Sequence, residues 1–375
     1  MKWIYDLSYN QLKKEITALK MKEFAGDQVF QWLYAKNVQD TDRWCNVSKA
    51  NKKILLEHYD IGLNKILRLD QDHEGTKKIL VELRDKHQIE AVLIEEKDHY
   101  TFCISTQVGC PLGCKFCATG RMGFTRNLGA GEIISQVLIL RKELERQHNQ
   151  NSKYTGKINI VLMGMGEPLL NYNHLKKALE IIISDKWIGI SPRHITLSTA
   201  GILEKIRRFE KDFPGIKLGF SLNAPGSYLR EQLMPISQQE RLDDIIAYFK
   251  STGKKRKHRV TFEYVLMEGI NDSRADAQKT AALLKGIPCK INLIPYNECE
   301  GIEFKTPDKS RVDEFSDYLY SRGYTVMVRW SKGKEIKSAC GQLAVNNEQK
   351  AEYRRQKTEI RGNKGACPLD TTENR

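Results

Sequence analysis

Residues 101–120 read TFCISTQVGCPLGCKFCATG. An apolar run of strand length, TFCIST (101–106), leads into Cys110, Cys114 and Cys117, with Gly109 and Gly113 interleaved so that the backbone can wrap tightly around whatever the sulfurs hold. Downstream, strand-like runs recur as INIVLM (158–163), HITLST (194–199), KLGFSL (217–222), RVTFEYVL (259–266), KINLIP (290–295) and TVMVRW (325–330), with amphipathic stretches of helical length between them. This alternation predicts an α/β fold of parallel βα units, a partial (β/α)6 barrel, over residues 99–345. In such an architecture chemistry collects in the loops after the carboxyl ends of strands. The unusual residues fall there: the cysteine loop after the first strand, Gly166-Glu167 after the second, Ser198 near the end of the third, Ser221-Leu222-Asn223 at the fourth, Asn297 after the sixth and Cys340 beyond the last. One site facing a single rim is the economical reading.

Upstream of this core the period changes twice. Residues 1–62 read as a small helical accessory domain: Ser8-Tyr9-Asn10-Gln11 has capping-box spacing ahead of Leu12, Ile16 and Leu19, Phe24 to Leu33 keeps a helical apolar period, and Ser48 opens a third helix. Residues 63–98 hold KILRLDQ, KKILVEL and QIEAVLIE separated by turn-rich segments, which predicts an antiparallel β meander. Inside its last strand Glu90 is the odd residue. Ile89, Ala91, Val92, Leu93 and Ile94 make both faces apolar, so a carboxylate there needs a partner or a task. Residues 346–375 form a polar, basic tail.

The chain has 375 residues, enough for one large domain with an appendage or for two domains. Sixty-one Lys and Arg against 47 Asp and Glu give a net charge of +14, which favours a polyanionic partner, RNA or DNA first. The densest basic run is Lys250, Lys254, Lys255, Arg256, Lys257 and Arg259, followed by Arg354, Arg355 and Lys357 in the tail. No stretch approaches the ~18 uncharged apolar residues of a spanning helix, and MKWIYDLSYNQLKK lacks the features of a secretory signal. A cytoplasmic location is therefore expected, with the nine cysteines as thiols or metal ligands.

Three thiolates this close bind a soft metal centre. Structural zinc wants four closed ligands, and Cys103 on the preceding strand stands in place to complete such a set. An iron–sulfur cluster on three cysteines instead leaves one iron open to a small chelating ligand. The rest of the rim favours the second reading: the Gly166-Glu167 turn lets backbone approach a ligand while a carboxylate receives an ammonium group, and Cys340 lies among small residues in a predicted loop.

The CxxxCxxC loop after the first strand of a βα core resembles the radical S-adenosylmethionine superfamily. CISTQVGCPLGCKFCATG, VLMGMGEPLLN, ITLSTAG, CKINLIPYN and SACGQL resemble its RlmN/Cfr family of RNA methyltransferases, over about Glu90 to Leu343. The resemblance implies a [4Fe-4S] cluster on Cys110, Cys114 and Cys117, with S-adenosylmethionine on the open iron, held by Gly166, Glu167, Ser198, Ser221, Leu222, Asn223 and Asn297. It implies that Cys340 is methylated by one cofactor molecule and that a second is cleaved to a 5′-deoxyadenosyl radical, which takes a hydrogen from that methyl. The methylene radical then adds to adenine C2, a carbon too electron-poor for direct methyl transfer. By the same resemblance Glu90 takes the C2 proton, and Cys103 resolves the protein–RNA crosslink as a Cys103–Cys340 disulfide that cellular thiols reopen. Implied partners are 23S rRNA, tRNA, an electron donor such as flavodoxin or ferredoxin, and a thiol reductant, around a monomeric enzyme. Methylation at C8, the sister reaction of the family, and a non-catalytic zinc-containing RNA-binding protein are the alternatives. Two departures from the family pattern stand out: SLNAP in place of SLHAP puts Asn223 where an imidazole is usual, and Lys337 near Cys340 adds a positive charge expected to lower the thiol pKa or to bind phosphate.

Overall fold

The computed structural model describes residues 1–148 and 157–345. Its front end consists of β1 (Lys2–Trp3), α1 (Tyr9–Ala18), α2 (Phe24–Phe30), α3 (Lys49–His58) and β2 (Tyr59–Asp60), with β1 and β2 paired in parallel. Ser8 and Gln11 form the reciprocal capping box that their spacing predicts, satisfying two donors that the first turn of α1 would leave free. Leu12 and Ile16 are the buried face of α1. Trp187, from the core, packs on Tyr9 and Phe30 with ring centroids 5.1 and 4.9 Å apart, so the helical front shares one hydrophobic core with the rest.

The meander is β3 (Lys65–Gln71), β4 (Lys77–Glu82) and β5 (Gln88–Glu95), antiparallel throughout. It continues into β6 (His99–Cys103), which β5 also pairs antiparallel. Then come the short pair β7 (Gln107–Gly109) and β8 (Phe124–Asn127) around α4 (Ala118–Arg121), followed by α5 (Ala130–Gln147), β9 (Lys157–Leu162) and α6 (Tyr172–Ile183). The alternation goes on through β10 (Ile195–Thr199), α7 (Leu203–Asp212), β11 (Lys217–Ser221), α8 (Ser227–Leu233), α9 (Leu242–Thr252), β12 (Val260–Leu266), α10 (Arg274–Leu284), β13 (Cys289–Pro295), α11 (Lys309–Ser321) and β14 (Thr325–Val328). β6, β9, β10, β11, β12, β13 and β14 pair in parallel in chain order, six βα units and a closing strand. With the meander on its other edge this makes one ten-stranded sheet, β14 to β3.

Register decides which side chains meet. Across the sheet Val92 opposes Cys103, Cys103 opposes Val161, Val161 opposes Thr196, Ser198 opposes Gly219, Ser221 opposes Glu263, and Glu263 opposes Asn292. Opposed residues share a face, and so do residues two apart on a strand. Glu90, Cys103, Ser198, Ser221, Glu263 and Asn292 therefore all project from the same face. The other face carries Ile160, Leu162, Ile195, Leu197, Phe220, Phe262, Tyr264, Ile291 and Leu293, all buried. Phe249 of α9 packs on Phe220 and Phe262, and Phe315 of α11 on Tyr264, so helices cover that apolar side. The polar side carries the candidate residues.

The basic run lies away from the candidate residues. It connects α9 to the amino end of β12, on the opposite rim from the carboxyl ends where the candidate residues gather. Arg256 turns inward: it pairs with Glu210 at 2.7 Å and lies 4.6 Å from the Phe249 ring centre, leaving Lys250, Lys254, Lys255, Lys257 and Arg259 as exposed charges of the run. Arg354, Arg355 and Lys357 lie outside the described residues.

Candidate active site

The cysteine loop is shaped by backbone. Gly109 has φ +75°, and a Cβ there would lie 1.9 Å from the Gly123 carbonyl oxygen, so only glycine lets β7 and β8 approach this closely. Cys110 N–H donates to Gly123 O at 2.9 Å, Lys115 N–H to Leu233 O at 3.0 Å and Ala118 N–H to Gly341 O at 2.8 Å, which pins the loop to three different segments. Leu112 and Phe116 bury themselves in a small apolar cluster with Leu233, Met234 and Tyr296, and the three cysteines pack against it. Burial pushes the Cys110 thiol up to about 12 and raises Cys114 and Cys117 as well. Cys117 adds to the rise at Cys110, and Cys117 and Cys110 both add to it at Cys114, so the loop sulfurs are electrostatic neighbours. A bound metal centre reverses this, since a coordinating thiol is deprotonated outright. The four-cysteine zinc set does not assemble here, because Cys103 faces away from the loop. Cys103 has Cys340, not the loop thiols, as its electrostatic neighbour.

Next along the rim, Gly166 has φ +101°, and a Cβ would sit 2.5 Å from Gln107 Cβ. That tight turn buries Glu167, whose N–H donates to Gln107 Oε1 at 2.8 Å. Its carboxylate accepts from Leu169 N–H at 3.0 Å and Ala200 N–H at 2.8 Å. Burial still outweighs these bonds and lifts its pKa to about 7, the signature of a carboxylate that would gain from a cation beside it. Ser198 Oγ donates to Glu263 and lies 3.4 Å from Ser221 Oγ. The Leu222 and Asn223 N–H groups turn back to the Glu263 carbonyl at 2.8 and 3.4 Å.

The Asn223 side chain serves the fold, which leaves its backbone for a ligand. It is buried with φ +55°, its Oδ1 accepts from Val265 N–H at 2.9 Å, and its Nδ2 faces Met234 Sδ at 3.3 Å. The side chain is consumed in holding the turn. Asn297 donates from Nδ2 to the Cys340 carbonyl at 3.1 Å and to Ser331 Oγ at 3.0 Å, while its Oδ1 is buried without a partner. An unsatisfied buried acceptor at the rim is where a ligand donor belongs.

Cys340 is exposed in the segment after β14, yet enough protein surrounds its sulfur to push the thiol up to about 11. Burial is the first cause and the Glu263 carboxylate the second, with Arg329 opposing. Lys337 does not lower it as expected; its Nζ pairs with Glu300 at 3.2 Å. Cys103 is buried at the seam between meander and parallel strands, and the Cys340 sulfur adds to the burial that raises its pKa. Glu90 is fully buried, paired with Lys78 Nζ at 3.1 Å, and accepts from Ala344 N–H at 3.0 Å. Lys78 also reaches the Lys337 carbonyl at 3.4 Å. The Cys340 segment is thus fastened at Lys337, Cys340 and Ala344 by Lys78, Asn297 and Glu90. Burial raises the Glu90 pKa, and Lys78 works against it.

Three residues of this site escaped sequence reasoning. Glu263 interrupts the apolar strand VTFEYVL just as Glu90 interrupts its own, so the same test would have found it. Lys78 is hidden as one of two adjacent lysines at the start of a strand, and Arg230 as an ordinary polar helix position. Cys45, Cys289 and Cys299 take no part that the geometry demands, and Cys367 lies outside the described residues. Neighbouring loop thiols, a glycine cradle beside a cation-seeking carboxylate, and the unpaired Asn297 oxygen together fit a three-thiolate cluster with a small zwitterionic chelator.

The comparisons agree. Residues 104–281 match the Radical SAM superfamily and residues 2–61 the ribosomal RNA large subunit methyltransferase N-terminal domain. The dual-specificity RNA methyltransferase RlmN of Desulfosudis oleivorans is 41% identical, covering 92% of this chain and 91% of its own. That of Syntrophus aciditrophicus is 41% identical over 91% of this chain and 96% of its own. A radical SAM methyltransferase structure from Sphaerobacter thermophilus superposes with a TM-score of 0.86 at 36% identity, covering 92% of this chain and 99% of the other. The chain belongs to the RlmN family of the radical S-adenosylmethionine superfamily, whose cofactors are a [4Fe-4S] cluster and S-adenosylmethionine.

Proposed function

We propose that this protein methylates C2 of adenine in RNA, with 23S rRNA and tRNA as its substrates, through a methyl group carried on Cys340. The observation that carries the reading is the juxtaposition of Cys340 with Cys103 on the sheet face that also bears Glu90, a pair of thiols and a buried carboxylate beside a three-cysteine loop. Cys110, Cys114 and Cys117 would hold the cluster, and Glu167, Ser198, Ser221, Asn297 and the turn at Gly166, Leu222 and Asn223 would hold S-adenosylmethionine. When bound there, the two supply a methyl group and, on one-electron reduction by a donor such as flavodoxin or ferredoxin, a carbon radical able to take hydrogen.

The chain's own groups supply the rest. Cys340 gives up its proton to receive the methyl, and Asn297 and Glu90 keep its segment over that sheet face. Glu90, out of water and held by Lys78, takes the proton from adenine C2. Cys103, as a thiolate, then attacks the Cys340 sulfur: the S–S bond forms as the carbon–sulfur bond to RNA breaks, its electron pair stays with the methylene carbon, which takes up a proton to become the methyl group, and a thiol reductant returns both cysteines to thiols. No helix among the described residues is long and apolar enough to cross a membrane. A cytoplasmic enzyme acting as a monomer is the setting we infer.

The test is anaerobic reconstitution with iron and sulfide, incubation with S-adenosylmethionine, a reductant and rRNA or tRNA fragments, and mass spectrometry of the digested nucleosides. The expected product is 2-methyladenosine, absent from Cys340→Ala, with a protein–RNA crosslink accumulating in Cys103→Ala. Formation of 8-methyladenosine instead would assign the sister reaction. One zinc per chain and no cluster would remove both readings.

A further inference from the structure

Arg230, in α8, is one of the largest side chains in the molecule to be completely buried. Its guanidinium donates from Nε to Leu222 O at 3.1 Å, from Nη2 to Ala200 O at 2.6 Å and Ser221 O at 3.0 Å, and from Nη1 to Ser237 Oγ. It also lies 5.0 Å from the Phe220 ring centre. Every one of these partners is neutral. A guanidinium does not shed its proton in proteins, and a buried charge without an opposite charge is expensive even when well hydrogen-bonded.

The ionisable side chain close enough to act on it is Cys114, which becomes negative only as a metal ligand. α8 backs onto the cysteine loop: Leu233 O receives Lys115 N–H at 3.0 Å, and Leu233 and Met234 form the apolar cluster on which Cys110, Cys114 and Cys117 pack. At the same time Arg230 binds the carbonyls of Ala200, Ser221 and Leu222, the residues that end β10 and β11. A four-iron core with three thiolates is net negative, and more so by one electron when reduced.

We propose that Arg230 is the internal counter-charge of the iron–sulfur cluster, a positioning residue that ties the ends of β10 and β11 to the cysteine loop and raises the cluster's reduction potential. The proposal rests on the cluster assignment above. Reduction adds negative charge beside a fixed positive one, so the reduced state gains more from Arg230 than the oxidised state.

The test compares wild type with Arg230→Lys, Arg230→Gln and Arg230→Met, each reconstituted anaerobically without S-adenosylmethionine. Iron and sulfide content is measured first; a wild-type protein that takes up no four-iron cluster refutes the cluster assignment itself. EPR-monitored titration with dithionite then gives the midpoint potential. Arg230→Lys is expected to stay near wild type, and Arg230→Gln and Arg230→Met to fall below it. The melting temperature is read with and without the cluster: loading should raise it more in wild type than in the two neutral variants, because only wild type gains a counter-ion. Equal midpoints and equal loading shifts across all four proteins would overturn the proposal and leave Arg230 a mechanical clamp. Arg230→Gln, which keeps donors for the carbonyls, decides the matter if Arg230→Met does not fold.

Discussion

A thiol held near pH 11 is almost wholly protonated at neutral pH, so Cys340 is not activated by its surroundings as the nearby Lys337 led the sequence reading to expect. Its thiolate fraction rises tenfold per pH unit until the pKa is reached. Iodoacetamide alkylation of Cys340 in cofactor-free protein, followed by peptide mass spectrometry, should therefore climb about tenfold per unit from pH 7 to about pH 10; a rise that bends over at about pH 9 would show a normal thiol. Glu90 makes the complementary case. Removing only its partner, in Lys78→Met, strands a buried carboxylate and should cost roughly 3–5 kcal/mol of unfolding free energy at neutral pH. The Glu90 pKa is already raised in the folded state and would rise further. A raised folded pKa gives an acid stability at low pH that is lost as pH climbs, so the deficit should shrink on acidification, where Glu90 protonates. The double variant Lys78→Met/Glu90→Leu should recover most of the loss in urea titrations, and a deficit independent of pH would dissociate it from Glu90.

Among the elements, the turn after β11 shows why a departure from a family pattern need not change chemistry. Asn223 sits at φ +55°, in the left-handed region where Asn and His are both enriched. Replacing the usual imidazole by an amide preserves the backbone requirement, and the amide oxygen caps Val265 N–H. Asn223→Ala should lose that buried bond and add backbone strain, roughly 2–4 kcal/mol together. Asn223→Gly should be about 1 kcal/mol less damaging than Ala because it keeps the conformation; equal losses in thermal unfolding would mean that φ matters little here. The same contrast explains what could be read from sequence. Strand runs, the capping box at Ser8, the cysteine loop and the Gly166 turn were legible because each rests on local spacing. Glu90 was legible because a carboxylate between apolar neighbours contradicts its own strand. Glu263 carries the same contradiction within VTFEYVL. The partners of Asn223, Asn297 and Arg230 were not legible, because Val265, Cys340 and Ala200 meet them only through sheet register and the path of α8.

At the scale of the whole molecule, the net charge of +14 is informative only once it is placed. On the proposed reaction an adenine has to reach Cys340, which would carry the phosphates of a bound RNA across the carboxyl rim of the sheet, whereas Lys254 and Lys255 stand beyond its amino rim. On the carboxyl side Arg329 follows β14 and is exposed, and Trp330 is 44% exposed with Lys334 Nζ 5.5 Å from its ring centre. A planar ring flanked by two cations suits a base stacked beside its own phosphates. Counterion release ties the slope of log affinity against log salt to the number of phosphates neutralised, about 0.7 per contact on single strands. Arg329→Ala/Lys334→Ala should therefore flatten the slope by roughly 1.4 for a single-stranded substrate. Trp330→Ala should weaken binding by about 1–3 kcal/mol with the slope unchanged. Lys254→Ala/Lys255→Ala should change neither. Fluorescence anisotropy with one labelled RNA across a salt series reads all three, and a flattened slope in the Lys254/Lys255 variant would mean that RNA wraps past the sheet to its amino rim.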